Sequence, residues 1–421
     1  MNLNKFSILK ILKSLKNNDF LDIVSHTDDE LVAVNNETGE VFIFNGDDKK
    51  NILSSSVGIV DRFRIQKIAR DLMPTRRVSH CLRSPISKVG DIGIYKAVEF
   101  DTTFFTGLQT CGSVWHCPVC AAKISERRAG EVNQAIEYTQ GIGGVVSFVT
   151  RTVPHAYSDS LKDILEKYRL ADKKMKQSRV YTSTVKNFNI FGTIKVFEIT
   201  VGVNGWHLHT HELFFHEENH LDSLEEFYSS LENKLFTAWS KATHAVGFDK
   251  ISREYGLQVQ NGDFAAEYIA KWGKSPNPDK YWGADREISK QHIKKSKSGF
   301  SPFDLFRLYA EHPSPELKEI IEEYADTMHG ARQLMWSRGL KKRVGIDDLT
   351  DKEIADSQEE PAKLVGVMSL EQWRYVCKLE MRVDVLIVAK TQGFNGVNSF
   401  LIRIGAPDYD PSETNLSPFL E

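Results

Sequence analysis

A row of three histidines constrains the fold of this chain most strongly. It lies in the segment WHLHTHELFF, residues 206–215, where every second residue from 207 to 211 is a histidine. Successive side chains of a β-strand point to opposite faces, so His207, His209 and His211 are expected on one face. A single strand histidine is commonly a satisfied core residue, but packing explains three poorly because each buried imidazole needs a polar partner. The row therefore predicts a metal-binding strand.

A second strand is expected just before the histidines, at residues 191–200, with a turn at 201–205. A turn centred near residue 203 places Glu198 opposite His209, with their Cβ atoms about 5 Å apart. Two imidazoles and one carboxylate with open positions suit Mn²⁺ or Mg²⁺, whereas a buried structural zinc site usually recruits thiolates. A slip of one residue would turn Glu198 away, and Glu212 is expected on the opposite face of its strand.

Periodicity around this hairpin predicts an α+β fold. Residues 144–150 form an apolar run of strand length, and residues 160–177 have the pattern of an amphipathic helix. Apolar residues between 221 and 239 have helical spacing, and residues 255–260 alternate like a strand before a helix that begins near residue 263. The order is βαββαβ, which is typical of a ferredoxin-like antiparallel sheet with helices packed on one face.

A length of 421 residues predicts several domains. We expect five segments: 1–60 of unknown role, a basic and cysteine-rich zinc-binding segment at 61–139, the core at 140–275, a basic loop and helices at 276–346, and an acidic linker with a helical and strand segment at 347–421.

The 54 Lys and Arg residues against 57 Asp and Glu give a net charge of −3, which argues against a protein that coats DNA with bulk positive charge. A nucleic-acid enzyme with locally concentrated charge remains compatible with this balance.

Localisation follows from the apolar segments. The first twenty residues are interrupted by lysines and lack the apolar stretch of a signal peptide. The longest strongly apolar run near the carboxyl end, residues 385–389, is too short to span a membrane. Five cysteines in a chain of this length do not indicate a disulfide framework. We therefore expect a soluble cytoplasmic protein without a membrane partner.

Four cysteines have spacing that indicates a structural zinc site. They are Cys81, Cys111, Cys117 and Cys120. Four thiolates would complete a tetrahedral site for Zn²⁺, with His80 and His116 as reserve ligands. The C-x₂-C pair also occurs in thioredoxin-like redox sites, but the additional cysteines favour zinc.

A predicted helix after the last strand carries a second candidate site. In the segment DFAAEYIAKW, residues 263–272, Tyr268 and Lys271 are three positions apart and share a helix face. A tyrosine oxygen can attack phosphorus in a covalent mechanism, and a lysine can stabilise the negative charge. Glu267 can pair with Lys271. A tyrosine and a lysine at this spacing are common in ordinary amphipathic helices. The pair supports a catalytic interpretation only because it follows the histidine strand.

Candidate DNA contacts are basic and aromatic residues outside these motifs. They are Arg76, Arg77, Trp272, Lys294 and Lys295. Basic groups bind phosphates, and an aromatic ring can stack on a base of single-stranded DNA. Arg76 and Arg77 fit a solvated helix face equally well, and ordinary packing or surface exposure is the stronger interpretation of each of the other three.

The motifs together resemble those of a known family. GWHLHTHELFF resembles the His-hydrophobe-His (HUH) motif of rolling-circle replication initiators, and AAEYIAKWGK resembles their Tyr-x-x-Lys motif. The segment TCGSVWHCPVCAAKISERRAGEV is similar to the cysteine segment of the plasmid "protein rep" family within that group. SPFDLFRLY and GARQLMWSRGLKK resemble its downstream segments. The resemblance covers residues 75–400 approximately, in the family's motif order.

This resemblance implies a metal-dependent, site-specific DNA endonuclease and strand transferase whose HUH core is residues 140–275. His209 and His211 match the metal-binding pair, and His207 is a less secure ligand. Tyr268 matches the nucleophile that becomes joined to the DNA 5′ phosphate, leaving a 3′ hydroxyl for polymerase. Lys271 matches the motif lysine.

The resemblance also has a mismatch. Some relatives carry a water-activating carboxylate about one helical turn before the tyrosine, but Phe264 stands there in this chain. Glu267 or Asp263 is the expected substitute.

The implied partners are origin DNA, single-stranded or as a hairpin at the nick site, with host helicase and polymerase. Plasmid and phage contexts both remain open. The alternatives are a relaxase or transposase with the same chemistry, a non-catalytic zinc-containing DNA-binding module, and a histidine-rich metal hydrolase acting on small molecules.

Overall fold

The structure is a computed structural model. It describes the backbone of residues 21–26, 30–35, 41–45 and 48–58, and both backbone and side chains of residues 59–87, 90–98, 102–202, 204–217, 223–262, 300–357 and 361–408. Seven candidate site residues lie outside the described residues: Asp263, Glu267, Tyr268, Lys271, Trp272, Lys294 and Lys295.

The described elements alternate between helices and short strands, as expected for an α+β chain. The helices are α1 Asp48–Leu72, α2 Pro118–Gly141, α3 Leu161–Gln177, α4 Arg179–Asn187, α5 Leu224–His244, α6 Pro302–Glu311, α7 Pro315–Thr327, α8 Leu340–Arg343, α9 Asp351–Asp356, α10 Leu370–Lys378 and α11 Arg382–Arg403. The strands are β1 Leu21–His26, β2 Glu30–Asn35, β3 Val41–Asn45, β4 Ile92–Ala97, β5 Thr103–Thr106, β6 Val145–Thr152, β7 Ile190–Gly202, β8 Gly205–His216, β9 Leu257–Asn261, β10 Leu334–Trp336 and β11 Ala362–Met368. Within the described part of the chain, no helix is both long enough and apolar enough to cross a membrane.

The chain divides into two compact units. One contains Ala121–Thr350, and the other contains Leu9–Cys120 together with Asp351–Glu421. Each unit has its own sheet and its own apolar core.

The first unit is built on a five-stranded sheet of order β10-β7-β8-β6-β9. All neighbouring strands are antiparallel. Helices α3 and α4 connect β6 to β7, and α5 connects β8 to β9. The four strands of the βαββαβ unit therefore have the spatial order second, third, first, fourth, which is the ferredoxin-like arrangement. The predicted α+β class and the antiparallel sheet are confirmed, and β10 adds an edge strand.

Helix α3 packs on the sheet face opposite the three histidines. The Tyr168 ring lies 5.7 Å from the Phe197 ring and 5.1 Å from the Trp239 ring of α5. The Tyr168 hydroxyl also hydrogen-bonds to the hydroxyl of Thr210 on β8. The residues of this face are buried from Thr193 to Ile199 on β7 and from Trp206 to His216 on β8. Helix α3 bears its apolar residues on the side that covers them.

Among the described residues, an apolar cluster covers one end of the histidine face of the sheet. There Val146, Leu213 and Phe215 form an apolar cluster with Ile136 of α2 and Leu340 of α8. These strand residues continue the same alternation as the histidines, so the face changes from apolar to polar along the strands. The polar end carries the histidines.

The second unit contains the sheet β11-β4-β5 and the helices α10 and α11. Ile92 and Ile94 of β4 are buried against Val385 and Leu386 of α11, and the Phe105 ring contacts Trp373 at 4.8 Å. Helix α11 is broken at Gly393, whose φ of 64° is accessible to glycine at low cost. A separate antiparallel sheet, β1-β2-β3, precedes α1.

Candidate functional site

The hairpin register places the histidines as the sequence predicts. Glu198 on β7 is directly opposite His209 on β8, and the two strands turn between Gly202 and Gly205. Strand β6 lies on the other side of β8, with Thr150 opposite His211. His207, His209 and His211 are all partly exposed, whereas Leu208, Thr210 and Glu212 between them are buried. The expected division of β8 into a histidine face and a buried face is therefore present.

His211 is held on three sides. Its Nε2 donates to Oε2 of Glu198 at 2.7 Å, and its Nδ1 lies 3.1 Å from Oγ1 of Thr150. Its ring stacks on Phe148 with 5.1 Å between centroids and 10° between planes. Glu198 thus reaches diagonally to His211, although its direct cross-strand neighbour is His209. Diagonal pairs are within reach of long side chains in a sheet.

A fourth imidazole, His155, joins the site from the loop after β6. Its ring centroid is 3.8 Å from that of His207, and Nδ1 of His207 lies 3.2 Å from Nε2 of His209. Sequence reasoning missed His155, because this residue follows a strand end and belongs to no alternating pattern. Burial and repulsion by His155 and His209 lower the pKa of His207 to about 4. Burial likewise lowers the pKa of His209, so both rings are neutral near pH 7, the form that binds metal.

The donor types on this face fit a divalent ion, but they are not gathered into a closed site. Within the part of the chain that the structure describes, the cysteine cluster is the group of metal-ligand side chains whose donor atoms all lie within 4.8 Å of one another. The histidines and Glu198 share a face without meeting that distance. They form a candidate site by residue type and orientation.

A buried ionic network lies on the opposite face, behind the histidines. Arg151, which is 1% exposed, donates to Oδ1 of Asp172 at 2.7 Å and to Oε2 of Glu212 at 2.6 Å. Lys195 donates to Asp172 at 2.6 Å, and Lys176 donates to Glu212 at 3.0 Å. Glu212 therefore faces away from the histidines, as expected. Burial opposes ionisation of the two carboxyls, but the three cations outweigh it and hold the pKa of both below the ordinary value.

Sequence reasoning missed this network. Lys195 inside the strand FGTIKVF and Arg151 inside VVSFVTRT are charged residues in apolar strands. Such residues are seldom fully buried unless they are paired, so their position was the available signal.

The four predicted cysteines come together in the second unit. The Sγ atoms of Cys81 and Cys120 are 3.5 Å apart, those of Cys111 and Cys120 are 3.6 Å apart, and those of Cys117 and Cys81 are 3.6 Å apart. These distances exclude disulfides, whose S–S length is about 2.05 Å. They approach the edge of about 3.8 Å that a tetrahedron with Zn–S bonds of about 2.3 Å requires. The cluster can therefore hold a metal ion such as zinc.

Local structure brings these thiols together. Cys81 follows the short 3₁₀ helix Arg77–His80, Cys117 immediately precedes α2, and Cys120 lies in its first turn. All four cysteines are buried and none is in a disulfide. The two reserve ligands have other partners, since His80 lies 3.1 Å from Ser84 Oγ and His116 lies 3.2 Å from Ser113 Oγ.

The candidate DNA contacts Arg76 and Arg77 flank the start of this 3₁₀ helix. Arg77 is exposed and Arg76 is partly buried. A guanidinium is weakly hydrated and can pair with a phosphate through two hydrogen bonds. They lie five and four residues before Cys81, so they are close in sequence to the cysteine cluster.

Comparison with known proteins gives one family and two relatives. Residues 104–378 match the family described as "Replication protein", which is more than half of the chain. A protein named "Protein rep" from Streptomyces lividans is 24% identical over 323 residues, covering 58% of this chain and 66% of the relative. A protein named "Neomycin resistance protein" from Streptomyces cyanogenus is 26% identical over 134 residues, covering 25% of this chain and 30% of the relative.

The chain thus spans slightly less than two thirds of the first relative and less than a third of the second. No solved structure matches it.

Proposed function

The chain belongs to the Replication protein family, and from that premise we propose that it is a rolling-circle replication initiator of a plasmid or phage. In this proposal it is a metal-dependent endonuclease that nicks origin DNA through Tyr268 and reseals it by strand transfer. The observation that carries the proposal is the row of histidines with Glu198 on the accessible half of a ferredoxin-like sheet.

The histidine face would hold the metal ion of the reaction. His209, His211 and Glu198 are its proposed ligands, with His207 as a further candidate. Bound Mn²⁺ or Mg²⁺ would supply a Lewis acid for a phosphate oxygen. The present hydrogen bond from His211 to Glu198 would give way to coordination, since both atoms are donors to such an ion.

The length of the chain permits Tyr268 to reach this face. Asn261, the last residue of β9, is opposite Ser147, three residues along β6 from Thr150, the partner of His211. The offset of three residues along the strands is about 10 Å, and the two spacings from β8 to β6 and from β6 to β9 add up to about 10 Å. His211 therefore lies about 14 Å from Asn261. Tyr268 is seven positions after Asn261. With the predicted helix beginning near residue 263, about two extended steps and five helical steps span up to about 14 Å, to which the length of the tyrosine side chain is added.

In the proposed nicking step, the Tyr268 oxygen attacks the scissile phosphorus after losing its proton to a base. A bond forms from that oxygen to phosphorus, and the bond from phosphorus to the 3′ oxygen breaks. The 3′ oxygen takes a proton and leaves as the hydroxyl that a host polymerase extends. Lys271 would stabilise the charge on the phosphate, and Glu267 or Asp263 is the proposed substitute for the carboxylate that activates water when the cycle closes.

Resealing reverses this step. A 3′ hydroxyl attacks the phosphotyrosine, its proton passes to a base, and the tyrosine oxygen leaves and regains a proton. The bond energy is retained in the phosphotyrosine, so no nucleotide cofactor is required.

The cysteine cluster would serve a structural role with Zn²⁺. Because its four thiols come from residues 81 to 120, a bound ion would hold this segment and its neighbouring arginines in one conformation. Arg76, Arg77, Trp272, Lys294 and Lys295 are the proposed contacts to origin DNA, and host helicase and polymerase are the proposed protein partners.

A covalent-adduct assay tests the nucleophile. The full-length protein is incubated with Mn²⁺ and an origin oligonucleotide labelled on the 3′ side of the nick, and the products are separated on a denaturing gel. We expect a protein–DNA band with the wild type and with Y255F, and no such band with Y268F. Tyr255 is the matched control, since it is an exposed tyrosine of the same unit.

The same assay tests the metal ligands. We expect H209A to lose nicking and H244A to keep it, because His244 is an exposed histidine at the end of α5. An adduct that persists in Y268F would show that the nucleophile is another residue. Nicking without any adduct would favour a hydrolase, and absence of nicking by the wild type with its origin would favour a DNA-binding module.

A further inference from the structure

We propose that Gln66 and Arg382 form the outer shell of the cysteine metal site, where they position Cys117 and Cys81 and offset the charge of the bound thiolates. The proposal rests on the metal-binding role given above to the cysteine cluster. It adds two residues from α1 and α11 to a site whose direct ligands all lie between residues 81 and 120.

Gln66 connects the arginine to the sulfur. It is 2% exposed, and its Nε2 lies 3.3 Å from Sγ of Cys117. Its Oε1 accepts a hydrogen bond from Nη1 of Arg382 at 3.1 Å. A guanidinium can only donate, so the amide oxygen must face Arg382 and the NH₂ group must face the sulfur. The sulfur of Cys117 is therefore placed as an acceptor, as suits a thiolate that binds metal.

Arg382 also holds the loop that follows Cys81. Its Nη1 donates to the carbonyl oxygen of Leu82 at 2.8 Å. Leu82 has a φ of 50°, a left-handed conformation that is strained for a non-glycine residue. The hydrogen bond helps to keep this conformation and with it the direction of the Cys81 side chain. One guanidinium thus acts on two of the four ligands.

The charge of Arg382 is suited to a metal–thiolate group. The side chain is 2% exposed, and its nearest carboxylate, Glu380, is 3.8 Å away. Glu380 accepts closer contacts from Arg70 at 2.9 Å and Arg83 at 2.7 Å, so its charge is shared among three cations. A divalent ion with four thiolates carries two net negative charges. Buried charge of one sign is costly without its counterpart, and the two groups would stabilise each other.

The alternative is that Gln66 and Arg382 only fill a polar part of the core. In that case their replacement would lower stability without changing the affinity of the cluster for metal. Metal affinity therefore separates the two roles, and it does so without any measurement of DNA cleavage.

The test compares variants of the zinc-loaded full chain. Zinc affinity is measured by competition with a chromophoric chelator, and Co²⁺ replacement reports thiolate coordination through its charge-transfer absorption. We expect Q66L to bind zinc about 10- to 100-fold more weakly than the wild type, the usual effect of losing an outer-shell hydrogen bond. Q66E should be weaker still, because a carboxylate would place negative charge beside the thiolate. R382M should also bind more weakly.

The matched control is Q109L. Gln109 is an exposed glutamine of the same unit, and its side chain donates to the carbonyl oxygen of Pro85. It should bind zinc like the wild type. Circular dichroism checks that each variant is folded, and the nearly isosteric Q66E keeps the test decisive if R382M fails to fold.

Two results would overturn the proposal in different ways. If C117S retained zinc at full stoichiometry, Cys117 would not be a ligand, and the metal site on which the proposal rests would be refuted. Zinc lost by C117S, but bound by folded Q66L and Q66E as tightly as by Q109L, would leave the metal site intact and refute its outer shell.

Discussion

Replacing Glu212 by glutamine tests the buried network behind the histidines. Glu212 is 1% exposed and accepts hydrogen bonds from Arg151 and Lys176. Glutamine has nearly the same shape, so the change leaves no cavity and removes only the charge. The buried Arg151 would then keep Asp172 as its one direct carboxylate partner among the described residues. Breaking a buried ion pair in this way costs about 3–5 kcal/mol.

The matched control is E217Q. Glu217 lies just beyond the same strand and pairs with Arg343 at 2.9 Å, but its side chain is 52% exposed. Exposed pairs contribute about 0–1 kcal/mol, so E217Q should leave stability almost unchanged. Urea unfolding of the zinc-loaded chain, followed by circular dichroism, measures both variants.

The pH dependence provides a second measurement of the same network. Asp172 and Glu212 have a pKa below the ordinary value, so they stabilise the fold above pH 4–5 approximately. This stabilisation is lost as the pH falls through their folded pKa values, and E212Q should weaken that loss. If E212Q and E217Q lowered the free energy of unfolding equally at neutral pH, the reasoning would be refuted.

Two further predictions concern stability. Burial lowers the pKa of His216 from 6.5 to about 4, so the free energy of unfolding should fall by up to about 3 kcal/mol as the pH falls from 6.5 to 4. H216Q should remove this pH dependence in unfolding measurements. An unchanged pH profile in a folded H216Q would contradict the prediction. Gly205 in the hairpin turn has a φ of 88°, and a Cβ there would lie 2.9 Å from Cα of Tyr157, so G205A should cost about 1–3 kcal/mol in thermal unfolding. Gly247 has a similar φ of 85° with open space around it, so G247A should cost less, and an equal loss would show that the contact with Tyr157 is unimportant.

The sequence by itself determined the features that depend on backbone geometry. Alternation in a strand placed His207, His209 and His211 on one face, and the length of the turn set Glu198 opposite His209. The order of periodic segments gave the βαββαβ unit, and the spacing of the cysteines gave the metal cluster. These features follow from strand and helix periods, which a sequence carries locally.

The tertiary structure alone decided which side chains meet. The diagonal contact of Glu198 with His211 depends on rotamers, and His155 reaches the site from a loop without periodicity. Gln66 and Arg382 are 316 positions apart, yet they hydrogen-bond beside the cysteines. Such contacts depend on how separate helices and strands pack, because a buried polar group accepts whichever partner the fold brings within reach. Local pattern therefore specified the candidate ligands, and packing selected the side chains that contact them.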